Sequence, residues 1–175
     1  MKRLQSYIQF ILLLLATVLP AHGHISRNMF MVSNLNTDNG LSSSRVYSIV
    51  EAEDGAMWIS TKRGVDRYNG QLVSNYTLAT EMQYSDASGR NIKLTQDHHR
   101  QIYAYDNKGK VYIYNKVKDT FVLRCNLQKI LGGSIVLNEL LVDEKGNFWL
   151  AMDKGLYCLS ASADGKEIVR EKAKG

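Results

Sequence analysis

The sequence predicts an all-β fold: a partial β-propeller of about three four-stranded antiparallel blades plus a leading strand, after a signal peptide. Three observations predict it. One short phrase is written three times, as EDGAMWISTKRGVDRY ending at Tyr68, HHRQIYAYDNKGKVYIY ending at Tyr114 and EKGNFWLAMDKGLYCL ending at Leu159. Its landmarks hold phase: Trp58, Tyr103 and Trp149 are spaced by 45 and 46 residues, and each is followed six residues later by glycine (Gly64, Gly109, Gly155). Each is also preceded by nine residues by an aliphatic side chain (Ile49, Leu94, Leu140). Finally, strand formers dominate and no long segment shows apolar residues at helical spacing. A period near 45 built of short strands is that of a propeller, where one blade cannot bury both its faces alone.

At the amino terminus Lys2 and Arg3 precede an apolar run from Ile8 to Leu19, and small residues follow at Ala21-His22-Gly23. This is the pattern of a cleaved export signal over residues 1–23, and twelve residues are too few to span a bilayer comfortably. An uncleaved anchor is the alternative; no later segment could cross a membrane. Residues 24–45 read as a leading strand, Asn28 to Leu35, and a connector around Thr37 to Leu41. Residues 46–175 read as three blades, at about 46–80, 91–125 and 137–172.

In the first blade strands are expected at Val46 to Ala52, Ala56 to Lys62, Val65 to Asn69 and Leu72 to Thr77. Met57 and Ile59 then point one way and Trp58 the other, so both faces carry apolar bulk, as in a sheet held between neighbours. Lys62-Arg63-Gly64, Asn107-Lys108-Gly109 and Asp153-Lys154-Gly155 suit a three-residue hairpin whose last position is left-handed, a conformation that costs glycine nothing. Asn69-Gly70 suits a two-residue hairpin with positive φ at both positions.

Loss of Lys2 and Arg3 would lower the formal charge from +5 to +3, with the remaining Lys and Arg scattered among Asp and Glu. Such a surface is merely solvated, so nucleic acid is not an expected partner. Cys125 and Cys158 fall in different blades; buried apolar filler is the favoured reading, and a disulfide between them stays open, because a sequence does not supply the geometry a disulfide needs.

The phrase from Gly40 to Gly70 resembles the two-component-regulator propeller repeat: Gly40-Leu41, Val46, Ile49, Gly55, Trp58, Gly64 and Tyr68 all fall in place. The third copy matches through Leu140, Asp143, Gly146, Trp149, Gly155 and Leu156. It departs from the pattern where Ala52 replaces the usual turn aspartate, Val65 a leucine, and Arg100 the turn glycine of the middle copy. The resemblance implies a periplasmic sensor region of the hybrid two-component histidine kinases of glycan-degrading bacteria, with an oligosaccharide breakdown product as ligand in the full-length context. It further implies that the remaining propeller blades of a parent protein are partners, while the kinase, receiver and DNA-reading parts have no counterpart in these residues.

No cofactor, metal or catalytic residue is expected, and the chain is not read as an enzyme. His98-His99 falls at a turn tip, where adjacent imidazoles seldom reach one ion. His24 as a copper-chelating amino terminus would need a second histidine and a different fold. Asn75-Tyr76-Thr77 matches a glycosylation sequon but sits in an expected strand. Glu53, Asp54, Asp143 and Glu144 cluster at turns that polarity alone explains. Trp58, Tyr103 and Trp149 are expected to pack in the core rather than stack on sugars. Three functions compete: a sensor segment, a small secreted protein-interaction scaffold, or a truncated product without activity. Alone, the chain is expected to be marginal and prone to associate, with Met57 and Ile59 among the exposed apolar groups and a leading strand near Phe30 as an open edge.

Overall fold

A computed structural model describes residue 5 and residues 32–78, 91–161 and 168–171 of the chain. The expected signal at residues 1–23 and most of the expected leading strand lie outside the described residues; positions 32–36 form no strand. A 3-10 turn, Thr37–Asn39, follows, closed by a capping box in which Asn36 and Asn39 each accept a backbone N–H of the other's turn.

The rest is three four-stranded antiparallel meanders. The first blade contains β1 Val46–Glu51, β2 Met57–Thr61, β3 Gly64–Tyr68 and β4 Val73–Tyr76. The second contains β5 Ile92–Gln96, β6 Ile102–Asp106, β7 Lys110–Asn115 and β8 Thr120–Asn126, after which comes a short helix, α1, Leu127–Leu131. The third contains β9 Leu137–Val142, β10 Phe148–Met152, β11 Gly155–Ala161 and β12 Ile168–Glu171. The first strands of successive blades pack side by side, β5 against β1 and β9 against β5. The fold is a partial β-propeller whose sheets do not close into a ring.

Register explains why the sequence landmarks recur. Trp58, Tyr103 and Trp149 are each the second residue of a blade's second strand. The aliphatic landmark always pairs with the residue after the aromatic: Ile49 with Ile59, Leu94 with Ala104, Leu140 with Leu150. Because side chains alternate along a strand, the aromatic and the aliphatic landmark lie on opposite faces of their blade. The aromatic face turns to the following blade and the aliphatic face to the preceding one. Trp58 and Leu94 accordingly share one core, with Ile102, Tyr112 and Phe121. Tyr103 and Leu140 share the next, with Val111, Phe148 and Leu150.

Exposure then follows position in the series. Leu94 and Leu140 are 5% and 1% exposed, but Ile49, with no sheet before it among the described residues, is 57% exposed. Trp58 and Tyr103 are 1% and 9% exposed, but Trp149, with no sheet beyond it among the described residues, is 39% exposed. Core packing therefore describes Trp58 and Tyr103 but not Trp149, which lies at the equivalent place on its strand and, among the described residues, has no further sheet against its face. Ile59, expected among the exposed groups, is 6% exposed. It lies on a sheet that the connector reaches, because Ser42 bonds to both Asp66 and Thr61 there.

Turn geometry corrects two expectations. Thr61 pairs with Gly64 and Met152 with Gly155, so the hairpins expected to have three loop residues there have two, with the glycine already the first paired residue of its strand. Tyr68 pairs with Val73, so the third hairpin of the first blade has four loop residues, not two. Asn69 keeps an ordinary φ and its side-chain oxygen accepts the N–H groups of Gln71 and Leu72, while Gly70 takes φ +96°. At the other hairpins glycine is required twice over at Gly64: its φ is +147°, and an added Cβ would sit 2.6 Å from the carbonyl oxygen of Tyr76.

Candidate functional site

A cleft of about 240 Å³ lies between the first and second blades. Its walls come from two equivalent turns and the strands behind them: Glu53, Asp54 and Arg67 from the first blade, Arg100, Tyr114 and Lys116 from the second. Both turns are built alike. Gly55 N–H donates to Ala52 carbonyl, Arg100 N–H to Asp97 carbonyl, and Gly146 N–H to Asp143 carbonyl in the third blade. Asp97 and Asp143 also accept two further backbone N–H groups through Oδ1. That is the chemistry of the turn aspartate which Ala52 lacks. The glycines of the first and third turns have φ +76° and +79°, and Arg100 is held at φ +58° in the same conformation.

The cleft's charges are largely spent on each other. Arg67 donates to Asp54 at 2.5 Å, and Lys116 reaches Glu53 across the blade seam at 3.4 Å. The Ala56 N–H bonded to Asp54, together with Arg67, holds the Asp54 carboxyl below the usual carboxylate range. Burial acts to lower the Arg67 pKa, but the hydrogen bond and charge of Asp54 outweigh it and keep the guanidinium firmly protonated. Arg67 also lies over the Trp58 ring, 5.9 Å from its centroid. Trp58 is packed against Tyr76, Tyr114 and Phe121 with centroids 5.1, 4.5 and 5.5 Å away. It is thus a floor under a cation, not a platform open to a ring stacking from solvent.

On the outer side of that cluster Tyr76 and Tyr114 both donate to Oδ1 of Asp119, at 2.8 and 2.6 Å, tying the two blades together. These two hydroxyls depress the pKa of Asp119. The second seam is tied by Lys93, which donates to the carbonyl of Asn138 and to Glu139, both at 2.8 Å, and by Tyr105, whose hydroxyl donates to Glu139. Burial of its ring raises the Tyr103 hydroxyl to about 12.

The cleft can donate hydrogen bonds from Arg100 and Lys116 and accept them at Glu53. Each of its carboxylates is paired to a cation, and no serine, cysteine or histidine lines it. Among the described residues no group of three or more His, Cys, Asp or Glu could hold a metal ion. His98 and His99 lie exposed on their turn with rings 3.6 Å apart. Asn75 donates to Asp66 and to the Gly40 carbonyl, fastening the connector onto the first blade. Cys125 and Cys158 are not joined. Both lie on the aromatic faces of their blades, paired with Val111 and Trp149, so the third sheet stands between them. Burial pushes the Cys125 thiol up to about 12.

The landmark residues Ile49, Trp58, Gly64, Leu94, Tyr103, Gly109, Leu140, Trp149 and Gly155 are structural positions, and of these only Trp58 lines the cleft. Reading the sequence alone missed the cleft, because its walls come from residues about 45 apart that do not belong to the repeated phrase's apolar landmarks. The signal that could have found it is the repeat itself, which aligns Ala52-Glu53-Asp54 with Asp97-His98-His99 and so marks both turns as neighbours.

Comparison with known proteins agrees with this architecture. Residues 40–63 match the family model described as two component regulator propeller, so the first blade carries that repeat. Among solved structures, the chain is similar to the extracellular domain of a protein described as a one component system from B. thetaiotaomicron. The TM-score is 0.61 at 18% identity, over 85% of this chain and 19% of that one. It is also similar to the extracellular domain of a protein described as a hybrid two component system from the same organism, with TM-score 0.52 and 18% identity over 81% of this chain and 18% of that one. The chain therefore spans less than a fifth of the length of either. No curated protein matches it. No helix among the described residues is long and apolar enough to cross a membrane.

Proposed function

We propose that the chain is a blade-bearing portion of the extracellular sensing region of a hybrid two-component system, exported to the periplasm by residues 1–23 and without enzymatic activity of its own. The observation that carries this reading is the two-component-regulator repeat at residues 40–63 within a fold shared with extracellular domains of such systems. The ligand in this reading is a glycan breakdown product, recognised with the rest of the propeller in place. Arg100, Lys116 and Glu53 in the first seam offer donors and an acceptor to sugar hydroxyls, and a ligand bridging them would clamp two blades at once.

The test is genetic. Deleting the segment encoding residues 34–171 in the host should abolish transcriptional induction of one glycan-use locus when purified polysaccharides are supplied singly. Unchanged induction on every polysaccharide would remove the sensing role. The scaffold reading predicts instead that induction survives and that a bound protein is lost.

A further inference from the structure

The cleft of the first seam carries more positive charge than it neutralises. Three cations line it, Arg67, Arg100 and Lys116, against two carboxylates, Asp54 and Glu53. Arg67 is taken by Asp54. Lys116 meets Glu53 only at 3.4 Å, with the two side chains 67% and 71% exposed, a pair of the kind that contributes little and is easily exchanged for another partner. The guanidinium of Arg100 has no hydrogen-bond or ion-pair partner among the described residues. Its backbone is also strained. Arg100 sits at φ +58°, where the equivalent turns place Gly55 and Gly146 at +76° and +79°. A Cβ added at either glycine would meet nothing within 4 Å, so a side chain at this point of the turn has room and costs only its left-handed backbone. A strained residue with an unspent charge, lining a cleft, is the kind of outlier that points to binding.

We infer that the cleft takes the single negative group of an acidic sugar, a uronate carboxylate or a sulfate ester, with Arg100 as the residue that selects it. The inference rests on the sensing reading for the sugar and adds the charge. A guanidinium presents two parallel N–H donors that match two oxygens of either group. Lys116 and Glu53 beside it remain for the ring hydroxyls. The surplus of one positive charge balances a monoanion, whereas a doubly charged phosphate monoester would leave negative charge next to Glu53 and Asp54. A neutral sugar in the same place would shed water from the Arg100 guanidinium without supplying the charge that repays the loss.

The test is an amide NMR titration of the purified full chain with glucuronate, glucose monosulfate, glucose and acetate in turn. The reporters are the amides of Gly55 and Arg100, on the two turns that wall the cleft, with Gly146 on the third blade as the control. Glucuronate or glucose monosulfate should saturate the shifts at a concentration about tenfold below glucose, the worth of one charge-assisted hydrogen bond. Which of the two does so identifies the acidic group. Arg100→Gly should abolish that preference and leave weak glucose binding unchanged. The variant gives the turn the residue its equivalents use, so it should melt no lower than wild type; Lys116→Gln, on an exposed side chain, should leave the preference standing. Equal binding of charged and neutral sugars overturns the proposal, as does a preference that survives Arg100→Gly. Acetate binding as tightly as glucuronate would reduce the cleft to a bare anion site and overturn it too. None of these results bears on whether deleting residues 34–171 abolishes induction, so the acidic ligand and the sensing role fail separately.

Discussion

Ile49, Leu94 and Leu140 are one structural position repeated in three blades, and truncating each to alanine reads the blade order as a stability series. Leu94 and Leu140 are all but fully buried in seams, so removing either should cost about 2 to 5 kcal/mol, the range for a leucine that leaves a cavity. Full burial of an isoleucine side chain is worth about 1.5 to 3 kcal/mol. Ile49 is 57% exposed, so only the covered part of that is at stake, and an open surface leaves no cavity. The expected cost of Ile49→Ala is therefore about 1 kcal/mol. Urea titration of the three variants gives all three numbers under matched conditions. Equal losses at Ile49 and Leu94 would refute the assignment of faces, since the two positions would then be equally covered.

Other perturbations probe individual turns and charges. Arg100→Gly should stabilise the chain by up to about 1 kcal/mol, measured by urea midpoint, because it replaces a side chain held at φ +58° where the equivalent turns use glycine. Gly64→Ala should cost more than Gly155→Ala in thermal melts. Both meet left-handed strain of about 1 to 2 kcal/mol, but only at Gly64 would the new Cβ strike backbone, 2.6 Å from the Tyr76 oxygen. Burial would raise the Asp143 pKa, yet the Trp149 and Asn147 hydrogen bonds outweigh it and hold it at about 2. A depressed carboxylate adds stability above its unfolded pKa, near 4, and loses it as pH falls towards 2. Denaturation midpoints of wild type should thus drop through that window, and an Asp143→Asn variant should drop less.

The fold was legible because the repeat preserves the residues that register depends on. Aromatic, aliphatic and glycine landmarks recur at spacings of 45 and 46, and the structure puts the aromatic and aliphatic sets at equivalent places on equivalent strands. Gly64 and Gly155 open the third strands of their blades, while Gly109 lies in the turn just before its own. Burial was less legible. The same phrase around Trp58 and Trp149 gives a buried ring in one blade and a half-open one in the other, since burial depends on a neighbouring sheet and not on local sequence. Asn69-Gly70 misled for a related reason: the dipeptide permits a two-residue hairpin, but Asn69 spends its side chain on the N–H groups of Gln71 and Leu72 and lengthens the loop. The cleft was not legible at all, for it depends on charges that pair across a seam, as Lys116 does with Glu53.

The central claim is that each blade has a following face, covered where a blade follows and bare where none does. The chain has two tryptophans, Trp58 and Trp149, one for each case. Acrylamide quenching of the single-tryptophan variants Trp149→Phe and Trp58→Phe tests this most directly. The account predicts blue-shifted, poorly quenched emission from Trp58 and readily quenched emission from Trp149. Equal quenching of the two would contradict it.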